Sequence, residues 1–366
     1  MPTIAPAGDP ATRKALADQL QDRPLLLGQA LESGLPPVSG ILSSRPREGR
    51  VRTWLTEQFG LRVPVVAAPM AGVSTGRLAA AVSAAGGLGM IGAGPASTPD
   101  RLREQCAVAR EGGPFGVGLM AWALAQDDAL VEAVVAQAPA LVSVSYGRYE
   151  RWIAPLHAAD IVVATQVGTL QEALAAEQAG VDLLVARGGE GGGHGRADVA
   201  TLPLLQSVLD AVQVPVLAAG GIGTARGLAA VLAAGTAGAW AGTAFLACTE
   251  AATSAAARQR LLAAKDTDTA YGRVFDVAQR LDWPREYGGR ALRNAYFDRW
   301  VGREDELAGD DAASAQLMTA RQQGDFDVAC VYAGEGVGLL QEERSAAAVV
   351  AEFAGAEALL RRSWDE

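Results

Sequence analysis

The sequence predicts an α/β fold, a (β/α)8 TIM barrel with a helical cap segment inserted after strand 8 and an N-terminal extension. Two observations support this prediction. From Val63 onward, short apolar runs alternate with amphipathic helical stretches, and eight such units follow one another. Eight closely and evenly spaced βα units are the number that closes a barrel. An open doubly wound sheet would have fewer strands and a dinucleotide-binding fingerprint near the first one.

The predicted strands are short apolar runs, typical of parallel strands that are buried on both faces. They lie at residues 65–68, 88–92, 115–119, 141–144, 161–164, 183–186, 216–219 and 238–241. Helical patterns separate them, among them residues 77–85, 127–137, 170–179 and 224–234. Several helical patterns run into a glycine, namely Gly86, Gly180 and Gly235, and glycine is the usual left-handed cap of a helix.

The chain divides into three predicted segments. Residues 1–50 are rich in Pro, Ser and charge, and we interpret them as an extension that is partly disordered. The alternative is an ordered arm that packs on the partner subunit of a homodimer. Residues 51–249 and 331–366 form the predicted barrel domain. Residues 250–330 are more charged and helical in pattern, and we expect them to form a cap over the barrel mouth.

Composition excludes several classes of partner and location. The net charge of −10 and the pI of about 4.9 argue against nucleic acid and against anionic membranes. The first ten residues lack the basic-then-apolar pattern of a secretion signal, and the longest apolar stretches are too short or too rich in glycine to cross a bilayer. The three cysteines are scattered, with no disulfide or metal spacing. We therefore expect a cytoplasmic protein without a metal site.

The first candidate site is the glycine-rich segment at residues 188–195, which follows the sixth predicted strand. It contains His194, one of only two histidines. Glycines let the backbone approach a ligand closely, and an imidazole exchanges protons near neutral pH. His194 is therefore the candidate catalytic residue. The alternative is a solvated histidine on a loose surface loop. His157, in a helical pattern, is interpreted as structural or exposed.

Glycine loops after the seventh and eighth predicted strands indicate a phosphate site. Gly220 and Gly221 follow strand seven and precede a helix, and Gly242 and Thr243 follow strand eight. In this fold these two loops form the usual phosphate site, where backbone amides and a helix N-terminus face the anion. Arg226, in the first turn of that helix, could help to neutralise the charge. The alternative is simple turn chemistry.

A third set of residues is suited to a flat heterocycle. Ala68, Pro69 and Met70 end the first predicted strand, so their backbone groups are exposed at the barrel mouth. Gln166 lies at the end of the fifth strand, and its side-chain amide can both donate and accept hydrogen bonds. The alternatives are a strand that simply stops at a proline and a glutamine that begins the next helix.

These stretches together resemble the nitronate monooxygenases, formerly called 2-nitropropane dioxygenases, which are FMN-dependent (β/α)8 enzymes. The resemblance covers residues 52–340. It rests on the motifs at residues 68–72, 85–89, 115–117, 190–195, 218–222, 242–245 and 332–334. The glycine–glycine–histidine loop is the most specific of them, and the FMN-dependent enoyl reductases of fatty-acid synthesis share it.

The resemblance implies that FMN lies across the mouth of the barrel and that His194, beside the flavin, meets the substrate. The residues expected at the flavin ring are Ala68, Pro69, Met70 and Gln166. Those expected at its phosphate are Gly220, Gly221, Gly242 and Thr243. Gly192 and Gly193 of the histidine loop are assigned to the same cofactor site.

The sequence departs from the family pattern in three places. Gly118 stands where the third strand often ends in an asparagine that touches the flavin, which weakens one expected contact. Gly191 stands where the loop usually has alanine before its two glycines. The extension at residues 1–50 is not part of the common pattern. None of these departures removes His194 or the phosphate loops.

The leading hypothesis is oxidation of an alkyl nitronate by O₂ through bound FMN, which yields a carbonyl compound and nitrite. The partners are then a small-molecule substrate and O₂. If a neutral nitroalkane is also used, His194 would remove its α-proton as a general base. Protonated His194 could instead hold the nitro oxygens.

Two alternatives stay open. One is an FMN-dependent enoyl-thioester reductase of the enoyl-ACP type, which uses NAD(P)H. The acidic composition disfavours an acidic carrier protein, although a local basic patch could provide its docking surface. The arginines considered for that patch are Arg285, Arg290, Arg293 and Arg299. The other alternative is a protein that binds a phosphate-containing ligand without redox activity.

Overall fold

Eight parallel strands form a closed barrel in this computed structural model, which describes residues 51–124 and 128–362. The barrel strands are β1 (Val65–Ala67), β2 (Gly89–Gly92), β3 (Phe115–Met120), β4 (Leu141–Ser145), β5 (Val162–Val167), β6 (Leu183–Arg187), β8 (Val216–Ala219) and β9 (Gly238–Ala241). Neighbouring strands pair in the order β1-β9-β8-β6-β5-β4-β3-β2. The barrel closes because the Ala67 N–H donates to the Leu88 carbonyl over 2.9 Å. The predicted barrel and its eight strands are thus confirmed, while the extension at residues 1–50 lies outside the described residues.

After α1, which precedes the first strand, helices follow the strands and cover the outside of the barrel. The helices up to the end of the barrel are α1 (Trp54–Phe59), α2 (Gly76–Ala84), α3 (Pro99–Arg110), α4 (Ala129–Gln137), α5 (Glu150–His157), α6 (Leu170–Ala179), α7 (Thr201–Leu209) and α8 (Ala225–Ala233). The four helical patterns quoted from the sequence correspond to α2, α4, α6 and α8, and residue 127 of the second pattern lies outside the described residues. In the described ranges, no helix is long and apolar enough to cross a membrane.

The side chains of each strand alternate between two apolar cores. Val185 of β6 and Leu217 of β8 belong to the core inside the barrel. Their sequence neighbours, such as Leu184, belong to the core between the sheet and its helices. Leu55 and Phe59 of α1 are part of the interior core, so this short helix plugs the barrel at the end opposite the carboxyl ends of the strands. The sequence patterns did not predict α1.

The cap inserted after β9 contains strands as well as helices. Its elements are a 3₁₀ turn (Thr243–Phe245), α9 (Ala255–Ala263), β10 (Thr269–Gly272), α10 (Val274–Gln279), β11 (Gly289–Leu292), α11 (Ala295–Trp300), α12 (Glu304–Ala308) and α13 (Asp311–Gln323). The chain then returns through a 3₁₀ turn (Glu335–Leu339), α14 (Ala346–Ala354) and α15 (Ala356–Leu360). The cap was predicted from the sequence as helical only, and that prediction missed β10 and β11.

The two cap strands attach the cap to the glycine-rich loop. β10 and β11 pair antiparallel, and β11 also pairs with the two-residue strand β7 (Gly193–His194). Both cap strands are short, contain glycine and lack an apolar alternation, so no local pattern marks them as strands. Their pairing depends on a segment that is distant in sequence. The cap therefore lies against the loop that carries His194.

We predict that Gly89→Ala destabilises the barrel, because a Cβ at this position of β2 would collide with the Ala79 carbonyl of α2. Such overpacking typically costs about 1–3 kcal/mol of the free energy of unfolding. Gly309→Ala is the matched control, since its Cβ would lie 3.7 Å from its nearest neighbour, the Glu306 carbonyl oxygen, at the exposed end of α12. Thermal unfolding at one scan rate compares the two variants. Equal midpoints would contradict close packing of α2 on β2.

Candidate active site

His194 is held at the barrel mouth by a buried carboxylate. Its Nε2 lies 2.7 Å from Oδ1 of Asp276, and the two side chains are only 10% and 2% exposed. Asp276 belongs to α10 of the cap, whereas His194 belongs to β7, so the pair joins cap and barrel. The same carboxylate oxygen accepts a hydrogen bond from the Tyr332 hydroxyl at 3.3 Å. These contacts fix the orientation of the imidazole edge.

An indole ring fixes the plane of the imidazole. Trp283 stacks on His194 with ring centroids 3.6 Å apart and planes 3° from parallel. With Nε2 donating to Asp276, neutral His194 carries its lone pair on Nδ1. No described residue hydrogen-bonds Nδ1, so that nitrogen can take a proton from a ligand. A histidine oriented by a carboxylate in this way is a suitable general base.

Further aromatic side chains enclose this pair. Trp283 also contacts Trp122 and Tyr146, with ring centroids 5.0 and 5.2 Å apart, and Tyr146 contacts Tyr287 at 5.5 Å. Tyr146 follows β4 and has a φ of 68°, which turns its side chain toward the loop. The aromatic wall, defined as Trp122, Tyr146, Trp283 and Tyr287, therefore joins barrel and cap residues around His194.

Tyr146 links the predicted ring residue Gln166 to the histidine loop. The Gln166 Nε2 donates to the Tyr146 hydroxyl over 2.8 Å, and that hydroxyl donates to the His194 carbonyl over 3.2 Å. Burial raises the pKa of Tyr146, so its hydroxyl remains a proton donor throughout the neutral range. Gln166 is the last residue but one of β5, as predicted at the end of that strand, and its side chain is half-buried beside the site.

The remainder of the glycine loop is anchored on both sides. The Glu190 carboxylate accepts from the backbone N–H and the hydroxyl of Thr201, at 2.9 and 2.8 Å. The Tyr271 hydroxyl of β10 donates to the Gly195 carbonyl over 2.9 Å, and the Arg290 Nε of β11 donates to the Gly189 carbonyl over 2.9 Å. The loop is therefore ordered, and the alternative of a loose loop with a solvated histidine is wrong.

The two glycines assigned to the cofactor occupy different surroundings. A Cβ on Gly192 would lie 2.6 Å from the Ala333 carbonyl carbon, because the returning chain packs directly on this glycine. Gly193 has a φ of 67°, and a Cβ there would meet no atom within 4 Å. Gly193 thus faces open space, whereas Gly192 is required for packing within the chain.

The predicted phosphate loops lie side by side, because β8 and β9 are neighbours in the barrel. No described residue accepts a hydrogen bond from the backbone N–H of Gly220, Gly221, Gly242 or Thr243. If these loops were ordinary turns, fewer of their backbone N–H groups would lack a hydrogen-bond acceptor. A Cβ on Gly221 would approach only the Glu190 Cβ, at 3.9 Å, so its surface is open. Unpaired amides at the start of α8 have the donor chemistry that suits a phosphate.

The first-strand motif is partly used by the barrel itself. The Ala68 N–H donates to the Ala241 carbonyl, and the Ala68 carbonyl accepts from the Ser74 hydroxyl, both over 2.9 Å. In the described chain, the Met70 N–H has no acceptor. The Pro69 ring occupies the space where a side chain at residue 118 would begin, so a larger residue at this position would have to displace it. Met70 rather than Ala68 therefore offers the free backbone donor.

Sequence reasoning missed the residues that the cap contributes. Asp276 lies 82 residues after His194, and no motif relates them. Asp282-Trp283-Pro284 stood out in the cap, but nothing in the sequence placed it on an imidazole. His157 is exposed and bonded to Asp182 at 2.8 Å, as a structural histidine should be.

The arginines considered for a carrier-protein patch are mostly engaged elsewhere. Arg290 points into the loop and pairs with Glu335 at 3.2 Å, Arg293 pairs with Asp298 at 2.6 Å, and the Arg299 guanidinium lies over Trp300. Three of the four arginines thus have partners within the chain, and the carrier-protein patch stays a prediction.

Comparison with known proteins shows the family to which the chain is similar. The family model described as nitronate monooxygenase matches residues 52–133 and 117–355. A nitronate monooxygenase of Pseudomonas aeruginosa is 31% identical over 78% of this chain and 94% of its own. A (3aS,4S,5R,7aS)-5-hydroxy-7a-methyl-1-oxo-octahydro-1H-indene-4-carboxyl-CoA dehydrogenase of Rhodococcus jostii is 38% identical over 62% of this chain. That match spans 64% of the dehydrogenase, which is less than two thirds of its length.

Solved structures show the same architecture. FabK from Thermotoga maritima has a TM-score of 0.73 and 28% identity, covering 84% of this chain and 97% of its own. The nitroalkane oxidase from Streptomyces ansochromogenes has a TM-score of 0.70 and 32% identity, covering 84% of this chain and 98% of its own. With the family model matching most of the described barrel and cap, the chain belongs to the nitronate monooxygenase family, a family of oxidoreductases.

Proposed function

We propose that this protein oxidises alkyl nitronates with O₂ to a carbonyl compound and nitrite, with FMN as its bound cofactor. The observation that carries the proposal is the His194–Asp276 pair, which presents Nδ1 as a base on the glycine loop that most specifically resembles the family's. The unpaired amides of the phosphate loops lie at the same end of the barrel. A base and an anion site at one barrel mouth suit an enzyme that holds a phosphorylated cofactor next to a substrate with an acidic C–H bond.

The residues present fit FMN. Gly220, Gly221, Gly242 and Thr243 offer amide donors for its phosphate, and Met70 offers a backbone donor for the edge of its ring. When bound, FMN supplies the electron transfer between substrate and O₂, and the protein supplies position and electrostatics. Arg226 is exposed and forms no ion pair with a described carboxylate, which leaves it available to the phosphate.

The chain's own groups account for the handling of protons. With a neutral nitroalkane, Nδ1 of His194 takes the α-proton, and the Asp276 carboxylate stabilises the imidazolium that forms. Trp283 holds the ring in one plane, so the base does not have to reorient. A preformed nitronate needs no deprotonation. The aromatic wall around His194 would limit the access of water to the carbon that loses the proton.

A second candidate function is the oxidation or reduction of acyl thioesters. The carboxyl-CoA dehydrogenase of Rhodococcus jostii is more similar in sequence, at 38% identity, than the compared nitronate monooxygenase, at 31%. A thioester has an acidic α-proton, so the same base would serve. Anaerobic addition of NAD(P)H distinguishes the two, because rapid bleaching of the flavin favours an enoyl-thioester reductase. A colourless purified protein would favour a ligand-binding protein without redox activity.

The phosphate assignment predicts that a negative charge at Gly221 releases FMN. Asn and Asp have the same shape, and both tolerate the left-handed φ of 70° that this glycine adopts. Gly221→Asp should weaken FMN binding about tenfold more than Gly221→Asn, because only Asp repels the phosphate. Fluorescence titration of the apoprotein with FMN gives both dissociation constants. Equal affinities would place the phosphate elsewhere.

The base assignment predicts that His194→Asn retains FMN but loses turnover of neutral nitroethane by about 10²–10⁴-fold. Asp276→Asn should lose less of this turnover, because the imidazole that takes the proton remains and only the carboxylate that stabilises its positive charge is removed. Oxidation of preformed ethyl nitronate should fall far less in both variants. Oxygen consumption with each substrate between about pH 6 and pH 9 makes the comparison.

His157→Asn is the matched control for these variants, since His157 pairs with Asp182 on the barrel exterior and should change neither rate. Equal losses with nitroethane and ethyl nitronate in His194→Asn would assign His194 to binding the nitro group. Unchanged rates with both substrates would remove it from the catalytic site.

A further inference from the structure

Aromatic side chains are concentrated around His194, although the chain contains few of them. The whole sequence has seven tryptophans and six tyrosines, and aromatic residues make up only 5% of it. Five of these tryptophans and tyrosines, the aromatic wall and Tyr332, form one continuous set of ring contacts with the imidazole. The proposed proton transfer needs Trp283 to hold the imidazole, and limiting the access of water needs apolar bulk but not rings. The concentration of flat rings at this site therefore indicates a role beyond these two.

Three rings of the aromatic wall keep accessible surface. Trp122, Tyr146 and Tyr287 are half-buried, whereas Trp283 is buried against His194. Burial nevertheless raises the pKa of the Tyr146 hydroxyl, and it also raises the pKa of Tyr287. A ring that has lost much of its hydration and is still accessible lines a cleft rather than an open surface. The wall thus has ring surface left for a ligand.

The aromatic wall and the phosphate loops lie on different sides of the barrel mouth. Trp122 follows β3 and Tyr146 follows β4, while the phosphate loops follow β8 and β9. In the order of the strands, β5 and β6 separate β4 from β8, and β2 and β1 separate β3 from β9. Trp283 and Tyr287 reach the wall from the cap segment between α10 and β11. The phosphate proposed for those loops is therefore on the other side of the mouth, and the wall is left to the substrate.

The wall begins where the proposed base and the cofactor ring would meet. The Tyr146 hydroxyl bonds both to Gln166, which is assigned to the flavin ring, and to the His194 carbonyl. From Tyr146 the ring contacts continue along the wall in both directions, with neighbouring rings tilted by 53° to 69°. Tilted rings present both faces and edges, the two surfaces on which a further aromatic ring packs. A substrate whose reacting carbon reaches His194 has the rest of its body beside these rings.

We propose that the aromatic wall is a specificity-determining surface that binds a flat ring of the substrate, so that the preferred substrates are nitronates with an aryl group on the reacting carbon. Aromatic pairs gain affinity beyond the area that they bury. Tryptophan and tyrosine also offer large, rigid contact surfaces that lose little side-chain entropy on binding. A short alkyl nitronate leaves most of this surface uncovered. The proposal names the substrate class of the site and so rests on the function proposed above.

Two ligands that differ in the planarity of their ring test the proposal without turnover. Nitrobenzene and 1-methyl-1-nitrocyclohexane are similar in size, both are neutral, and neither has an α-proton. Isothermal titration calorimetry with the FMN-loaded protein gives both dissociation constants. We expect nitrobenzene to bind roughly tenfold more tightly than the saturated analogue. Trp122→Leu should weaken nitrobenzene roughly tenfold and the saturated analogue by less than about threefold, because leucine keeps apolar contact but has no ring face.

Two substitutions at Tyr287 form a matched pair, which also serves if Trp122→Leu does not fold. Tyr287→Phe keeps the ring and should bind nitrobenzene within about threefold of the parent protein, whereas Tyr287→Leu should weaken it roughly tenfold. Trp54→Leu is the distant control, since Trp54 contacts Phe59 in α1 at the plugged end of the barrel.

Three results of the calorimetry overturn the proposal. The first is equal affinity of the parent protein for the two ligands. The second is equal weakening of both ligands in Trp122→Leu or Tyr287→Leu, which would leave the wall as packing between cap and barrel only. The third is a loss in Tyr287→Phe as large as the loss in Tyr287→Leu.

Steady-state kinetics separate this proposal from the function on which it rests. The substrates are the preformed nitronates of phenylnitromethane and nitroethane, so the acidity of the α-carbon does not enter. We expect Trp122→Leu to lower the ratio of their kcat/KM values, phenyl over ethyl, roughly tenfold relative to the parent protein. If the parent protein oxidises neither nitronate yet binds nitrobenzene through the wall, the proposed oxidation is wrong and the ring recognition stands. If both are oxidised and the leucine variants leave the ratio unchanged, the ring recognition is wrong.

Discussion

The antiparallel pairing of β7 with β11 is the constraint on which the site depends. Gly193 and His194 lie opposite Arg290 and Gly289, so the cap is joined to the barrel at the residue that carries the imidazole. This pairing brings α10 close enough for Asp276 to reach His194. Without it, the histidine would have neither its carboxylate nor the indole that covers its face. The proposed base and its carboxylate therefore come from two parts of the chain that fold around different cores.

Close packing around the loop explains its many glycines. Gly188 and Gly220 both leave room for Thr201, which begins α7, while Gly191 and Gly195 leave room for Arg187. Gly192 admits the returning chain at Ala333 and Gly334. Only Gly193 needs a left-handed backbone with open space beside it. Most of these glycines thus allow close packing between backbone and side chains. The number of glycines in the loop therefore does not indicate how many of them contact a ligand.

The barrel could be predicted from the sequence because its information is local. Each strand is a run of apolar residues buried on both faces, and glycines end several helices. The phosphate loops and His194 could also be located, since both lie directly after such strands. Asp276, Trp283 and Tyr332 could not, because their roles depend on contacts between segments far apart in sequence. β10 and β11 were missed for the same reason. Their pairing partners are distant in sequence or also lack an apolar alternation.

The returning chain after the cap joins the two ends of the candidate site. The Tyr332 hydroxyl bonds to Asp276 beside the base, and two residues later the Gly334 N–H donates to the Thr243 hydroxyl at the phosphate loops. The Glu335 N–H then donates to the Glu190 carbonyl of the histidine loop. Four consecutive residues therefore contact the base, the anion loops and the loop between them. Their positions are coupled by covalent geometry, because a short peptide cannot shift at one end and stay fixed at the other. The distance between the nitrogen of the proposed base and the amides proposed to face the phosphate is thus set by this segment as well as by the barrel strands.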